Sequence, residues 1–461
     1  MSAHRFHPSV LREYDIRGIV GQTLTEADAR AVGRAFGTVV QAGGGRTVAL
    51  CRDGRLSSPM LSEAVADGLR LAGCRVLDIG RGPTPMLYFA VHHLEADAGV
   101  MVTGSHNPPD YNGFKMMLGH GPYFAEGIQA LGRIAAAGDY AAGPGRIETL
   151  KVMDAYADRL VEGIATDRML KVAWDTGNGA AGPAVNEVCL RLPMHHVILN
   201  VEVDGTFPSH HPDPTVAENL VQLQEEVTSW GADLGIAFDG DGDRIGVVDG
   251  KGRMLYGDQL ITIFAREVLR SHPGATIIGD VKASDTLYDA IAAAGGVPLM
   301  WKTGHSVLKQ KLKEVGAPFA GEMSGHIFFA DRWYGFDDAI YAGIRLIEML
   351  STGERSLAEL RDSLPPAVNT PELRFDCPDD TKFAVVAAVK GWLAGQPGVT
   401  VNDLDGVRVR TADGWWLLRA SNTQAVLVAR AESQTADGLA RLKDMLRDGL
   451  AAAGMTPPLL G

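Results

Sequence analysis

Four short polar stretches of this chain carry side chains suited to chemistry. The first is Thr103-Gly104-Ser105-His106-Asn107-Pro108-Pro109. It follows an apolar run, Ala98 to Val102, that reads as a buried strand. A serine on the loop after such a strand is presented, not packed. The prolines behind it cannot continue a sheet, and they stiffen the loop. Tyr111-Asn112-Gly113 reads as a turn, and a strand from Phe114 to Leu118 brings Lys115 back toward the serine. One loop thus offers a hydroxyl, an imidazole (His106) and an ammonium. Polar loops of this composition are common, so this stretch alone does not separate a nucleophile from an ordinary turn.

The second stretch is Asp239-Gly240-Asp241-Gly242-Asp243-Arg244, directly after the apolar run Leu234 to Phe238. Three carboxylates at alternate positions repel unless a cation sits between them. The interleaved glycines let the backbone curl so that all three face one point. Hard carboxylate oxygens suit Mg²⁺ best. A calcium EF-hand does not fit, because its sixth place, counted from Asp239, holds Arg244 and its twelfth holds Gly250. A solvated acidic turn is the bland alternative. Arg244 beside the triad can hold a phosphate oxygen.

The third is Gly321-Glu322-Met323-Ser324-Gly325-His326. Alternation in an extended segment would place Glu322, Ser324 and His326 on one face, a set able to hydrogen-bond vicinal sugar hydroxyls. The fourth is Arg419-Ala420-Ser421-Asn422-Thr423, where an arginine fork, hydroxyls, an amide and backbone N–H groups make a phosphate cradle. Weaker candidates are Tyr14-Asp15-Ile16-Arg17-Gly18, Lys282 and Gly304-His305, each a polar group beside an expected strand.

The elements that must position these groups repeat. Strand, helix and strand recur at Thr47 to Ile79, Lys171 to Leu199 and Ala275 to Trp301, each reading as a βαβ unit with parallel strands. After Pro365-Pro366, a linker or hinge that no helix or central strand tolerates, the pattern becomes antiparallel strands and a terminal helix from about Ala436 to Ala452. The expected fold is α/β: three similar mixed α/β domains in tandem (1–150 with the serine loop, 151–252 with the aspartate loop, 253–366 with the sugar loop) and a smaller α+β domain, 367–461, with the phosphate loop. A chain of 461 residues with 46% hydrophobic content can fill that many cores. Its net charge of −13 argues against general nucleic-acid binding. Cys51, Cys74, Cys189 and Cys377 show no paired spacing, which favours a reducing cytoplasm and no structural zinc. No signal peptide and no membrane-spanning run are expected.

A nucleophile, a Lewis-acid site, a sugar face and a phosphate anchor in successive domains make a phosphoryl-transfer site on a phosphosugar. At these residues the chain resembles the α-D-phosphohexomutases, most closely the bacterial phosphomannomutase/phosphoglucomutase branch, over its whole length and with the four motifs in order. The resemblance implies that Ser105 is carried as phosphoserine and that one Mg²⁺ is held by Asp239, Asp241, Asp243 and a phosphate oxygen on Ser105. It implies substrate contacts from Tyr14, Arg17, Lys115, Arg244, Lys282 and His305. It also implies glucose 1,6-bisphosphate as intermediate and activator, phosphosugars as the only partners, and a cytoplasmic monomer. The Glu-Met-Ser-Gly-His core resembles that of the branch accepting both glucose and mannose phosphates. Gly104 stands where many relatives have alanine, a change expected to loosen the serine loop. Lys115, with His305 or His326, is the expected manager of the hydroxyl proton. Phosphoglucosamine mutase, phosphosugar phosphatase and an inactive sugar-phosphate scaffold are the competing readings.

Overall fold

A computed structural model describes residues 3–422 and 424–456 of the chain. Three of its four sheets are built on one plan. In the first, strand Thr47–Arg52 pairs in parallel with Arg75–Arg81 on one side and Ala98–Val102 on the other. Ala98–Val102 then turns back as an antiparallel hairpin with Tyr111–Leu118. In the second, Lys171–Asp175 lies parallel to His195–Leu199 and Leu234–Phe238, and Leu234–Phe238 forms a hairpin with Ile245–Asp249. In the third, Thr276–Asp280 lies parallel to Val297–Trp301 and Phe319–Gly321, and Phe319–Gly321 forms a hairpin with Ile327–Phe329. The serine loop, the aspartate loop and the sugar loop are the three hairpin connections. They occupy the same place on three copies of one topology.

The fourth sheet is antiparallel throughout, with Gly414–Ala420 and Val426–Ser433 at its centre and helix Ala436–Ala452 across it. Strand and helix ends fall within a few residues of the sequence expectation. One local reading is corrected. Tyr111-Asn112-Gly113 is not a turn but the start of a strand, paired on one edge with Ile16–Ile19. The reversal comes earlier, where Tyr111 N–H donates to the Pro108 carbonyl. Pairing with Ile16–Ile19 overrides the turn preference of Asn-Gly.

The cores are shared between the sheets. Helix Ala339–Thr352, which follows the third sheet, lies across the second, and its Gly343 faces Ile236 and Trp174. Asp338 caps that helix, accepting from Tyr341 N at 2.9 Å, and also accepts from Tyr156 OH at 2.8 Å. Burial pushes the Asp338 carboxyl up to about 7. Pro365 and Pro366 stand outside any helix or strand. Beyond them the fourth sheet docks on the third through buried charge. Arg430 Nη1 donates to Asp258 Oδ2 at 2.8 Å and to the Lys282 carbonyl at 2.6 Å. Glu432 accepts from Ser284 Oγ at 2.7 Å, and Arg408 donates to the Ala283 carbonyl while its guanidinium lies 3.6 Å from the Trp415 ring centre. Among the described residues no helix is long and apolar enough to cross a membrane, and the four cysteines are unbonded.

Two outcomes are expected. Replacing Arg430 by Met leaves the Asp258 carboxylate buried without its cation, a loss of about 3–5 kcal/mol. Adding Asp258→Asn should recover most of it in a urea titration. A single variant as stable as the parent would mean that Asp258 does not depend on Arg430. The second concerns pH. The folded pKa of Asp338 lies above its unfolded value, so the native state holds the extra proton between about pH 4 and 7. Stability therefore falls as pH rises through that window, by at most roughly 4 kcal/mol. Asp338→Asn keeps the cap oxygen and removes the titration. The melting temperature of the variant should gain on the parent from pH 4 to 7, and parallel curves would refute the assignment.

Candidate active site

The serine loop is held by a residue pair that sequence reasoning left unassigned. Arg55 is fully buried, and its guanidinium donates to the carbonyls of Ser105 (2.7 Å), Asn107 (2.6 Å), Pro108 and Tyr111 (3.1 Å). Asp53 accepts from Gly104 N at 3.1 Å and lies 3.3 Å from Arg55 Nε. An alanine Cβ at Gly104 would come 2.5 Å from Arg55 Nε. The glycine thus admits the clamp, and the loop is tied down at four carbonyls, not loosened. The signal was present in Arg52-Asp53-Gly54-Arg55, which leaves the strand next to the serine strand at the same end of the sheet. Ser105 itself has φ of 50°, a conformation that non-glycine residues seldom adopt. The clamp holds it there.

From that position Ser105 Oγ donates to Asp239 Oδ2 at 2.8 Å and lies 3.2 Å from His106 Nδ1. The approach depends on Gly240, because a Cβ there would sit 2.4 Å from the Ser105 carbonyl oxygen. Burial, then Arg244 and Arg17, hold the His106 imidazole well below its ordinary range, so it is neutral.

The aspartate loop closes as the sequence implied. Asp239, Asp241 and Asp243 are fully buried, and each brings one carboxylate oxygen within 4.8 Å of the others. Asp239 Oδ1 accepts from the N–H groups of Asp243 and Arg244, both at 3.1 Å. Lys115 Nζ donates to Asp241 Oδ2 at 2.7 Å and to Asp243 Oδ2. Oδ1 of Asp241 and of Asp243 are buried without a hydrogen-bond partner. Burial and the other two carboxylates push the Asp239 carboxyl well up. Burial acts the same way on Asp241, but the Lys115 ammonium outweighs it and holds that carboxyl below its usual range. Burial would lower Lys115 too, and the three aspartates reverse this, so it stays a firmly protonated ammonium. Three buried carboxylates, one ammonium and two orphaned hard oxygens still leave negative charge to be neutralised. That donor set fits a divalent cation such as Mg²⁺.

The sugar loop departs from expectation. It is not extended but a tight hairpin turn, closed by Glu322 N to the His326 carbonyl at 2.8 Å and Gly325 N to the Glu322 carbonyl at 2.9 Å. The turn divides the three side chains. Glu322 Oε2 and Ser324 Oγ have no protein partner. His326 is engaged instead: its Nε2 accepts from Arg244 Nε at 3.0 Å and its Nδ1 lies 2.9 Å from Asp337 Oδ2. All three line the cleft.

Around them, Tyr14 OH donates to the Thr303 carbonyl at 2.8 Å and accepts from Asn422 Nδ2 at 2.7 Å, tying three of the four sheets together. Arg17 is bonded to Asn107 and Asp15. Lys282 Nζ donates to Glu372 Oε2 at 3.2 Å and lies 3.9 Å from Glu322 Oε1. Arg419 Nε donates to Asp405 Oδ2 at 3.1 Å, and Lys382 donates to the carbonyls of Ser421 and Gln424, holding the loop that carries Ser421 and Asn422. Thr423 lies outside the described residues. Gly304 and His305 open the helix His305–Val315 on the cleft wall. These groups surround one cavity of about 630 Å³ lined from all four sheets. Besides Arg55 and Asp53, sequence reasoning missed Glu372, Asp337 and Asp280, the last of which accepts from Thr303 Oγ1 at 2.9 Å. None carries a local motif, and each acquires its partner only when distant strands meet.

Known proteins place this geometry. The chain matches the phosphoglucomutase/phosphomannomutase α/β/α domain I model over residues 9–140, domain II over 154–252, domain III over 256–368 and the C-terminal domain over 372–449. It is 46% identical to the phosphomannomutase/phosphoglucomutase of Pseudomonas aeruginosa, covering 98% of this chain and 97% of that protein. It is 43% identical to a phosphoglucomutase of Neisseria gonorrhoeae, over 95% of this chain and 96% of that one. A crystal structure of a phosphoglucomutase/phosphomannomutase family protein from Burkholderia thailandensis superimposes with a TM-score of 0.93 at 45% identity, covering 99% of this chain and all of that one. The chain belongs to the phosphoglucomutase/phosphomannomutase family of α-D-phosphohexomutases.

Proposed function

We propose that this cleft interconverts hexose 1-phosphate and hexose 6-phosphate, of glucose and of mannose, by way of a phosphorylated Ser105 and a hexose 1,6-bisphosphate. The observation that carries the reading is Ser105 Oγ bonded at 2.8 Å to one member of a buried aspartate triad, in a cleft that ends in a separate arginine-containing loop. A hydrolase has no need to hold a second phosphate, and an inactive scaffold has no need of the serine and triad together.

In the first transfer the bond from phosphorus to Ser105 Oγ breaks and one to the free sugar hydroxyl forms, and the proton that hydroxyl gives up ends on Ser105 Oγ, which is left as a free hydroxyl. The bisphosphate turns end for end, and its other phosphate returns to Ser105. Asp239, Asp241 and Asp243 would hold Mg²⁺, which neutralises charge on the phosphoryl oxygens when bound. Lys115, bonded to two of those carboxylates, contributes positive charge beside the triad. Arg419, Ser421, Asn422 and Thr423 hold the phosphate that is not reacting. Glu322 and Ser324, whose Oε2 and Oγ lack protein partners, bind sugar hydroxyls and leave the 2-hydroxyl unread, which admits both sugars. Tyr14, Arg17, Arg244 and Lys282 line the path between. The described residues of one chain line the cleft from all four sheets, so a monomer can supply it, and the cytoplasm is its proposed compartment.

A phosphorus NMR time course with Mg²⁺, a trace of glucose 1,6-bisphosphate and either glucose 1-phosphate or mannose 1-phosphate tests this. Both should yield 6-phosphates without inorganic phosphate, and Ser105→Ala should abolish the conversion. Free phosphate would make the protein a phosphatase. Turnover confined to glucosamine phosphate would move it to the sister activity. Chelation should silence the parent and added Mg²⁺ restore it. Asp241→Asn should lower kcat by about 10³-fold, the several kcal/mol that a metal supplies to such a transition state. An Asp241→Asn enzyme of parental rate would remove the metal from that site.

A further inference from the structure

Lys309 does not line the cleft, yet it touches a residue that does. It stands one helical turn after His305 on the same face of helix His305–Val315. Its Nζ lies 2.8 Å from Asp337 Oδ1, 3.2 Å from Tyr88 OH and 3.2 Å from His305 Nδ1. An ammonium has three N–H bonds and no lone pair, so each of its partners must accept. Three donors meet three acceptors. We propose that Lys309 is a positioning residue which fixes His305 as the tautomer with its proton on Nε2, so that His305 serves the reaction as a hydrogen-bond donor and not as a base. This deepens the phosphoryl-transfer reading of the cleft and rests on it.

The alternative arrangements fail on the same contacts. A proton on Nδ1, in the other tautomer or in the imidazolium, would point at an ammonium 3.2 Å away. The competing acceptor for such a proton, Asp337 Oδ2, is farther, at 3.5 Å, and lies 2.9 Å from His326 Nδ1. The other groups facing His305 are the His326 ring stacked at 5.2 Å, the Tyr14 ring edge-on at 6.4 Å, and the Lys115 ammonium. His305 is also the first residue of its helix, where the backbone N–H groups disfavour added positive charge. Burial first, and Lys309 next, hold its imidazole well below the ordinary histidine range. The stacked partner is set the opposite way. His326 Nε2 accepts from Arg244 Nε at 3.0 Å, which leaves its proton on Nδ1 beside Asp337. Two imidazoles in contact thus carry their protons on opposite nitrogens. His305 keeps its proton throughout, so the proton of the attacking hydroxyl does not rest on it and ends on Ser105 Oγ, the leaving oxygen.

Lys309 also lines a second cavity of about 820 Å³, with Tyr88, His92, Lys313 and Tyr334. A small alkylammonium can therefore reach the space left when its side chain is shortened. The test begins with nitrogen-15 histidine NMR of the full-length unliganded wild type. His305 should appear as the neutral Nε2–H tautomer from mildly acid to mildly alkaline pH. In Lys309→Leu that tautomer should no longer dominate, kcat should fall by about ten- to a hundredfold with KM little changed, and the pH profile should gain a limb from His305. In Lys309→Ala, ethylammonium should restore kcat several-fold, with no effect on the parent. A wild-type His305 protonated on Nδ1, or present as imidazolium, would overturn the proposal even if no variant folded. So would a folded Lys309→Leu with unchanged tautomer and rate. Wild-type protein with the expected tautomer but no mutase turnover would instead refute the functional reading.

Discussion

Three carboxylates buried within 4.8 Å of one another set the terms for the rest of the molecule. Burial alone makes each of them costly as an anion, and proximity adds to it. The surroundings answer with graded compensation. Lys115 is donated from the neighbouring sheet, Thr84 Oγ1 bonds Asp241 at the start of its helix, and Ser105 donates to Asp239. What remains uncompensated is the place for a cation. Ser105 is thus placed beside that cation's site by the same bond that eases the repulsion. The strain in its backbone is tolerated because Arg55 and Asp53 fix the loop from behind.

The geometry follows from a single topology used three times. In each sheet the third parallel strand ends in a hairpin, and the hairpin carries the functional side chains. The connection of a hairpin at a sheet's end is short and free of packing duty, so its side chains can vary without disturbing the core. One hairpin presents a hydroxyl, one presents carboxylates, and one presents unpaired hydrogen-bonding atoms. Sharing of the cores, as where helix Ala339–Thr352 lies on the second sheet, fixes the hairpins relative to one another. A cleft between sheets joined only by flexible linkers would not hold Ser105 and Asp239 at hydrogen-bond distance.

What could be read from the sequence divides along the same line. Ser105 and the aspartate triad are legible because each function is written in a few contiguous residues with glycines that announce a special backbone. The βαβ repeats are legible because strand and helix periods differ. Arg55 and Asp337 are not, because a buried charge reveals itself only through a partner far along the chain. Arg55 meets loop carbonyls about fifty residues on, and Asp337 meets two histidines and a lysine. The Tyr111-Asn112-Gly113 reading failed because local turn preference yields to pairing with the neighbouring strand Ile16–Ile19. The sugar loop failed in the other direction: alternation suggested an extended segment, but the five residues joining adjacent antiparallel strands must turn.

The proposed cycle requires a bisphosphate to turn over inside a closed cleft, so the cleft must widen, and the contacts that resist are unequal. The fourth sheet meets the first through Arg12 and Asp379, both partly exposed, and through the Asn422–Tyr14 bond. An exposed ion pair contributes about 0–1 kcal/mol. The same sheet meets the third through Arg430 and Asp258, both nearly inaccessible to solvent, and breaking a pair of that kind costs about 3–5 kcal/mol. Lys282 lies between these regimes, held by Glu372 of the fourth part and close to Glu322 of the third. Opening along the seam with the first sheet is therefore the inexpensive motion. It would separate Asn422 from Tyr14 while leaving the Arg430 anchor intact, so the phosphate loop could swing away from Ser105 without the fourth sheet losing its registry on the third.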